Sequence, residues 1–258
     1  MTPSVVIDSL PQRALLYQRG YAIVAVDVIR ATTTMATAVS LGRRCFPAST
    51  RDAARRLAAQ LQNPLLAGEL GGVMPRGFEM NNSPAELAQR TDISRPLILL
   101  SSSGTKLIDL SRQSDAVYIG CLRNFATVAA HVAEQHPRVA IIGAGSRGQF
   151  REEDQMCCAW IAHQFIEMGF AAVDSETLEL VKQWPVGNLS GILSSSSVDY
   201  LIRSGQGKDL EFILSHVADL EAAYKLDGDE IIEAGVGESG CTRIQGGLRE
   251  IEPRHSSL

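Results

Sequence analysis

Asp27, Arg30 and the hydroxyls of Thr32, Thr33 and Thr34 fall close together in the segment Val24-Ala-Val-Asp27-Val-Ile-Arg30-Ala-Thr32-Thr33-Thr34. An acid, a base and three hydroxyls at that spacing suit the handling of phosphate. A guanidinium pairs with phosphoryl oxygens through two parallel hydrogen bonds, and a carboxylate can hold a metal ion or attack phosphorus. The apolar run Ala22–Val26 precedes the cluster and helix-compatible residues, Met35–Leu41, follow it. The cluster therefore belongs on a strand-to-helix loop, where open α/β sheets bind ligands. Each threonine has a second use, capping the helix that follows.

Four more polar, glycine-bearing segments follow apolar runs: Gly68-Glu69-Leu-Gly71-Gly72, Ser101-Ser102-Ser103-Gly104-Thr105, Gly120-Cys121-Leu-Arg123-Asn124, and Gly143-Ala-Gly145-Ser-Arg147-Gly148 continuing to Glu153-Asp154. On a parallel sheet all five would open into one crevice. Glu69, set between glycines, serves as a metal ligand, a base or a solvated turn residue. The Ser101–Thr105 hydroxyls and backbone N–H groups would form a phosphate cradle, with Gly145–Gly148 as a second donor loop. Arg76, Arg123, Arg147 and Arg151 lie in or beside these loops and could meet further negative charge. Ser83, with Pro84 next and Glu86 three residues on, reads as a capping box, and Asn124 as a helix cap.

Three motifs argue for other chemistries. Gly143-x-Gly145-x-x-Gly148, with Asp174 after a later apolar run, imitates a dinucleotide fingerprint and keeps an NAD-dependent oxidoreductase as an alternative. Glu152, Glu153 and Asp154 oppose it, because their charge would repel a pyrophosphate at that helix's amino terminus. Cys45 and Arg51 have the spacing of thiolate phosphatases, but the loop between them has no glycine, and Pro47 supplies no N–H. Asp27 lacks the second carboxylate of a D-x-D phosphatase, since position 29 is Ile29. A non-catalytic binder of an anionic metabolite, using the same loops, is the alternative from outside enzymology.

The elements that must position these loops are legible as a pattern. Apolar runs at Val5–Ile7, Ala22–Val26, Leu65–Ala67, Leu97–Leu100, Val117–Ile119 and Val139–Ile142 are separated mostly by helix-length stretches such as Asp52–Gln62 and Phe125–Glu134. That alternation predicts a mainly parallel sheet with helices on both faces. Ala171–Val173 reads as a further strand, Gly187–Ser197 as a serine-rich loop, Leu210–Tyr224 as an amphipathic helix and Glu250–Leu258 as a frayed tail. At 258 residues the chain suits one domain, spanning 1–258. A net charge of −5 and a pI near 5.6 argue against nucleic-acid and membrane partners. With no signal-like amino terminus, and with five cysteines lacking any C-x-x-C spacing, a reducing cytoplasm is the expected location. The five histidines show no paired metal spacing.

Taken in order, Asp27-x-x-Arg30-Ala-Thr32-Thr33-Thr34, Gly68-Glu69-x-x-Gly72, Gly77-Phe78-x-x-x-Asn82-Ser83-Pro84, Ser101 to Thr105, Gly120-x-x-x-Asn124 and Gly145-x-x-Gly148-x-Phe150-x-x-Glu153-Asp154 resemble the 2-phosphosulfolactate phosphatase family. Leu201-x-x-x-Gly205-x-x-x-Asp209 is similar to its C-terminal pattern. The resemblance implies a three-layer α/β/α sandwich with a mixed, mostly parallel sheet, and a homodimer. It also implies a Mg²⁺-dependent phosphatase acting on a small anionic phosphate ester, 2-phospho-3-sulfolactate or a similar 2-phospho-carboxylic acid. In that family the product, sulfolactate, lies on a route to coenzyme M in some organisms and is an end product in others. Asp27, Arg30 and Glu69 would be catalytic. Asp27, Glu69 and Asp154 would stand near the metal, with Glu153 in reserve. Thr32, Thr33, Ser101, Ser102, Ser103, Gly104, Thr105, Asn124, Gly145, Arg147 and Gly148 would bind substrate. Ser101-Ser102-Ser103 departs from the family's usual Thr-Thr-Asn, and Leu122-Arg123 and the position around Arg151 also depart; these bear on the substrate more than on the reaction class.

Overall fold

Ala22–Val26 forms a strand buried along its whole length, as its uninterrupted apolar side chains require. It is one of ten strands in the computed structural model, which describes residues 2–235. In chain order the strands are β1 (Ser4–Ser9), β2 (Ala22–Val26), β3 (Cys45–Ala48), β4 (Leu65–Gly68), β5 (Leu97–Leu100), β6 (Ala116–Gly120), β7 (Arg138–Gly143), β8 (Ala171–Ala172), β9 (Tyr224–Asp227) and β10 (Glu230–Glu233). The helices are α1 (Ala31–Ser40), α2 (Arg51–Gln60), α3 (Pro84–Ala88), α4 (Gly104–Leu110), α5 (Phe125–Gln135), α6 (Glu152–Glu167), α7 (Ser175–Gln183), α8 (Ser190–Leu193), α9 (Ser196–Arg203) and α10 (Gly207–Ser215), with a 3-10 turn at Pro11–Leu16.

The strands form one sheet in the order β4-β5-β3-β10-β9-β6-β2-β7-β1-β8. Neighbours are parallel except around the β9–β10 hairpin, which runs antiparallel to β6 on one side and to β3 on the other. This is the mixed, mostly parallel sheet of a three-layer α/β/α sandwich. Successive strand residues serve opposite layers: Val24, Val26, Val139 and Ile141 pack with α5 and α6, whereas Ile23, Ala25, Ala140 and Ile142 pack with Met35 and Ala36 of α1 and Leu107 of α4. The second of these clusters also takes Leu65 and Ala67 of β4 and Leu97 and Leu99 of β5. One helical layer thus touches both halves of the sheet.

Register levels the strand ends that matter. Val26 stands opposite Gly143 and Gly120, so the loop after β2 adjoins those after β7 and β6. Gly68 stands opposite Leu100, so the loops after β4 and β5 are neighbours. In a flat sheet the ends of β2 and β5, five positions apart, would be roughly 24 Å from each other. The helices that follow them nevertheless meet at their amino-terminal ends: a Cβ added to Gly104 would lie 2.7 Å from the Ala31 Cβ.

Several expectations need correction. Gly187–Ser197 is not wholly loop: it contains α8, and Ser195 caps α9 by accepting the Ser197 N–H at 3.0 Å. The helix expected over Leu210–Tyr224 ends at Ser215, whose hydroxyl turns back onto the carbonyls of Glu211 and Phe212. Beyond it, the N–H groups of Ala218 and Leu220 bond to Leu122 and Arg123, and β9 begins at Tyr224. Tertiary hydrogen bonds override the helical period there. Strand β3 and the β9–β10 hairpin escaped the apolar-run reading, the hairpin because its residues are only partly apolar and only partly buried. The tail Glu250–Leu258, with Cys241 and His255, lies outside the described residues.

Candidate active site

A crevice of about 560 Å³ opens at the strand ends, lined by Asp27, Arg30, Glu69, Ser102, Ser103, Lys106, Gly145, Arg147, Gly148, Arg151, Asp154 and Tyr200 among others. Four of the five predicted loops therefore contribute to one cavity. The fifth, after β6, does not: Asn124 at the start of α5 is buried, accepts the Cys121 N–H at 3.0 Å and donates to the Ile119 carbonyl at 3.1 Å. Arg123 likewise turns inward, pairing with Asp219 at 2.7 Å and with the Thr37 hydroxyl at 2.9 Å.

The hydroxyls nearest Asp27 serve the backbone. Thr32 Oγ donates to the Asp27 carbonyl at 2.8 Å and accepts the Asp27 N–H at 2.9 Å, and Thr33 Oγ donates to the Val28 carbonyl. Thr105 Oγ donates to the Ser101 carbonyl while Ser101 Oγ accepts the Thr105 N–H. Thr32, Thr33, Ser101 and Thr105 are buried and do not line the crevice. The side chains of these four, with that of Asn124, are engaged in the hydrogen bonds of the loops themselves. Gly104 shapes them differently: it starts α4 directly beside the Asp27 carboxylate, and a side chain there would collide with Asp27 and Ala31.

Several backbone N–H groups of the glycine loops are also occupied. Glu69 accepts from the N–H groups of Gly72 and Ser102, each at 2.7 Å, and from the Ser102 hydroxyl. Asp154 accepts from Val28 at 2.8 Å and Gly145 at 3.0 Å, tying the β2 loop to the β7 loop. Asp27 accepts from Ala31 at 3.1 Å. Part of each cradle expected for phosphate thus holds a carboxylate, and the positive charge lining the crevice comes from side chains. Arg30, Lys106, Arg147 and Arg151 supply it. Lys106 was missed in the sequence, because it falls just past the Ser101–Thr105 segment, inside the first turn of α4; Tyr200, whose hydroxyl donates to the Gly72 carbonyl, falls just past the segment read as loop.

Burial, reinforced by Glu69 and Glu153 and opposed by the Ala31 N–H, pushes the Asp27 carboxyl up to about 7. Burial, with Glu153 and Asp27 nearby, also raises Asp154 well above the carboxylate range. Glu153 rises for the same first reason, although the Ser195 hydroxyl donates to it at 2.5 Å. Among the described residues no three carboxylate, imidazole or thiolate groups converge as a metal cage. Asp27, Glu69 and Asp154 share the crevice without forming such a set. Arg30 is buried, with its Nη1 donating to Asp209 and, at 2.6 Å, to Gln206. The peptide bond before it is cis.

The rival motifs lose their chemistry in this geometry. Asp154 occupies the Gly145 N–H of the glycine loop that a pyrophosphate would need, and Asp174 caps α7 by accepting the Thr177 N–H at 2.8 Å. Cys45 is sealed inside β3, and burial raises its thiol pKa far above the ordinary range.

The chain matches the 2-phosphosulpholactate phosphatase family over residues 8–221, which takes in every loop of the crevice. It belongs to that family. Relatives named as probable 2-phosphosulfolactate phosphatases agree. That of Synechococcus sp. (strain CC9605) is 30% identical over 87% of this chain and 93% of its own length. That of Symbiobacterium thermophilum is 33% identical over 75% and 86%, and that of Pseudothermotoga lettingae 32% over 73% and 82%. Membership of the 2-phosphosulfolactate phosphatase family makes the chain a phosphoric monoester hydrolase and sets aside the carrier and the oxidoreductase. No helix among the described residues is long and apolar enough to cross a membrane.

Proposed function

We propose that this protein hydrolyses the phosphate ester of 2-phospho-3-sulfolactate or a closely similar 2-phospho-carboxylic acid, with Mg²⁺ as cofactor. One observation carries the reading: in a member of this family, carboxylates and four cationic side chains line a single crevice. A substrate bearing phosphate, carboxylate and sulfonate needs several cations, and each charge-assisted contact from Arg30, Lys106, Arg147 or Arg151 would contribute about 1.5–3 kcal/mol.

The donor set fits magnesium. Asp27 is buried beside other carboxylates, and its carboxyl is raised for want of a compensating charge, which a divalent cation would provide. Mg²⁺ takes one or two carboxylates and completes its octahedron with water and substrate oxygen, so a protein-only cage is not required. Asp27 with Glu69 or Asp154 would hold it. Bound there, it would neutralise charge on the transferring phosphoryl group and leaving oxygen. The chain itself contributes position: Arg30 presents a fixed fork for phosphoryl oxygens, Lys106 and Ser102 line one wall, and Arg147 and Arg151 the other.

Phosphate release from a panel of 2-phospho-carboxylates, with and without a sulfonate, should be fastest with the sulfonated ester and should stop in chelator. Turnover indifferent to the sulfonate would refute the substrate, and turnover indifferent to chelator the cofactor.

A further inference from the structure

Asp209 stands far from Asp27 in sequence, on α10, and does not line the crevice. Its carboxylate is nevertheless buried against Arg30. One oxygen accepts from Arg30 Nη1, and the other accepts from the Ser83 hydroxyl at 2.5 Å and the Ala85 N–H at 3.1 Å. Gln206 Oε1 takes the same Arg30 Nη1 at 2.6 Å and is itself held by Asn81 Nδ2 at 3.0 Å. The guanidinium is therefore gripped at one nitrogen from behind while Arg30 faces the cavity.

We propose that Asp209 is a positioning residue for the phosphatase reaction, acting through Arg30: it fixes the plane in which the guanidinium meets the phosphoryl group. The inference rests on the phosphatase reading above. Two features make a purely structural role insufficient. A buried ion pair contributes little net stability against an apolar pair of the same shape, whereas it can fix the orientation of the charged group it holds. Arg30, moreover, is already neutralised by Asp209, so its use to a substrate lies in the geometry of its remaining N–H donors more than in net charge. A planar fork set to within about half an ångström is worth far more in the transition state than one that swings.

Steady-state kinetics with phosphosulfolactate test this. D209N should lower kcat by roughly tenfold or more, with KM changed by less than about threefold. S83A, which removes the hydroxyl bond to Asp209 and leaves both the Ala85 N–H and the Arg30 contact, should keep kcat within about twofold of wild type. In a double-mutant cycle, D209N added to R30K should cost less than about a further twofold, because the two act as one unit. If the two losses multiply, or if S83A reproduces the D209N loss, Asp209 merely supports the fold and the proposal is overturned. Should D209N fail to fold by circular dichroism, D209E keeps the charge and shifts it by one methylene: a lowered kcat at near-constant KM supports positioning, and wild-type kcat overturns it. Wild-type turnover is measured first. Its absence would defeat the phosphatase reading, whereas normal turnover with multiplying losses would defeat only the role of Asp209.

Discussion

Asp27 is set apart by what surrounds it, not by being an aspartate after a strand. Burial and two neighbouring glutamates raise it to about 7, while the Ala31 N–H restrains it. Asp27→Asn keeps the volume and removes the charge, so phosphate release should fall by about 10²–10⁴-fold with the thermal midpoint little changed. Wild-type-like turnover by that variant would remove Asp27 from the mechanism. Gly104 makes a second residue-scale test. A methyl group there would press on both Asp27 and Ala31, so Gly104→Ala should cost about 1–3 kcal/mol of stability and reduce kcat, read by denaturant unfolding and by turnover. Unchanged kcat would show that the Asp27 position tolerates displacement.

Loops, at the scale of elements, are held to one another by carboxylates, and the same device recurs away from the crevice. Arg90 and, through Nη2 at 2.9 Å, Arg43 bind Asp92, joining the α1–β3 turn to the segment before β5. The Arg90 and Arg43 guanidinium groups hold the Asp92 carboxyl well below the usual range. A depressed folded-state pKa stabilises the protein above the unfolded value near 3.9, and that contribution is lost as pH falls through the folded value. Thermal midpoints of wild type and Asp92→Asn should therefore differ at about pH 7 and converge toward about pH 2; parallel curves would rule the pairing out as a source of acid sensitivity. Helix ends follow local rules. Ser83, Thr50 and Asp174 cap α3, α2 and α7 as their side chains predict, whereas Asn124 stands at a cap position and bonds elsewhere.

For the whole molecule, the decisive feature is one ten-stranded sheet whose two parallel halves are bridged by the β9–β10 hairpin. Ile231 of β10, buried and paired in register with Cys45 of β3, is the apolar stitch of that bridge. Ile231→Ala should cost about 2–5 kcal/mol by unfolding. It should also raise KM or lower kcat, since the Ser102–Lys106 wall and the Asp27 wall belong to opposite halves. A destabilised variant with unaltered kinetics would separate the hairpin from the site.

The strand-to-helix alternation, both-sides burial of β2, the placement of Asp27, Glu69, Ser102 and Arg147 in loops after strands and that of Asp154 at the opening of a helix were readable along the chain, because they depend on local periodicity and on which residues can end a strand. Two kinds of information were not. Whether a loop hydroxyl or N–H faces a ligand or a neighbouring backbone depends on partners distant in sequence, so Thr32, Thr33, Ser101, Thr105 and Asn124 could not be sorted from Ser102 and Lys106 in advance. Nor does any local pattern show that α10 returns to Arg30. Only the closed fold brings Asp209 to that guanidinium, because a buried charge is held where a complementary charge excludes water with it.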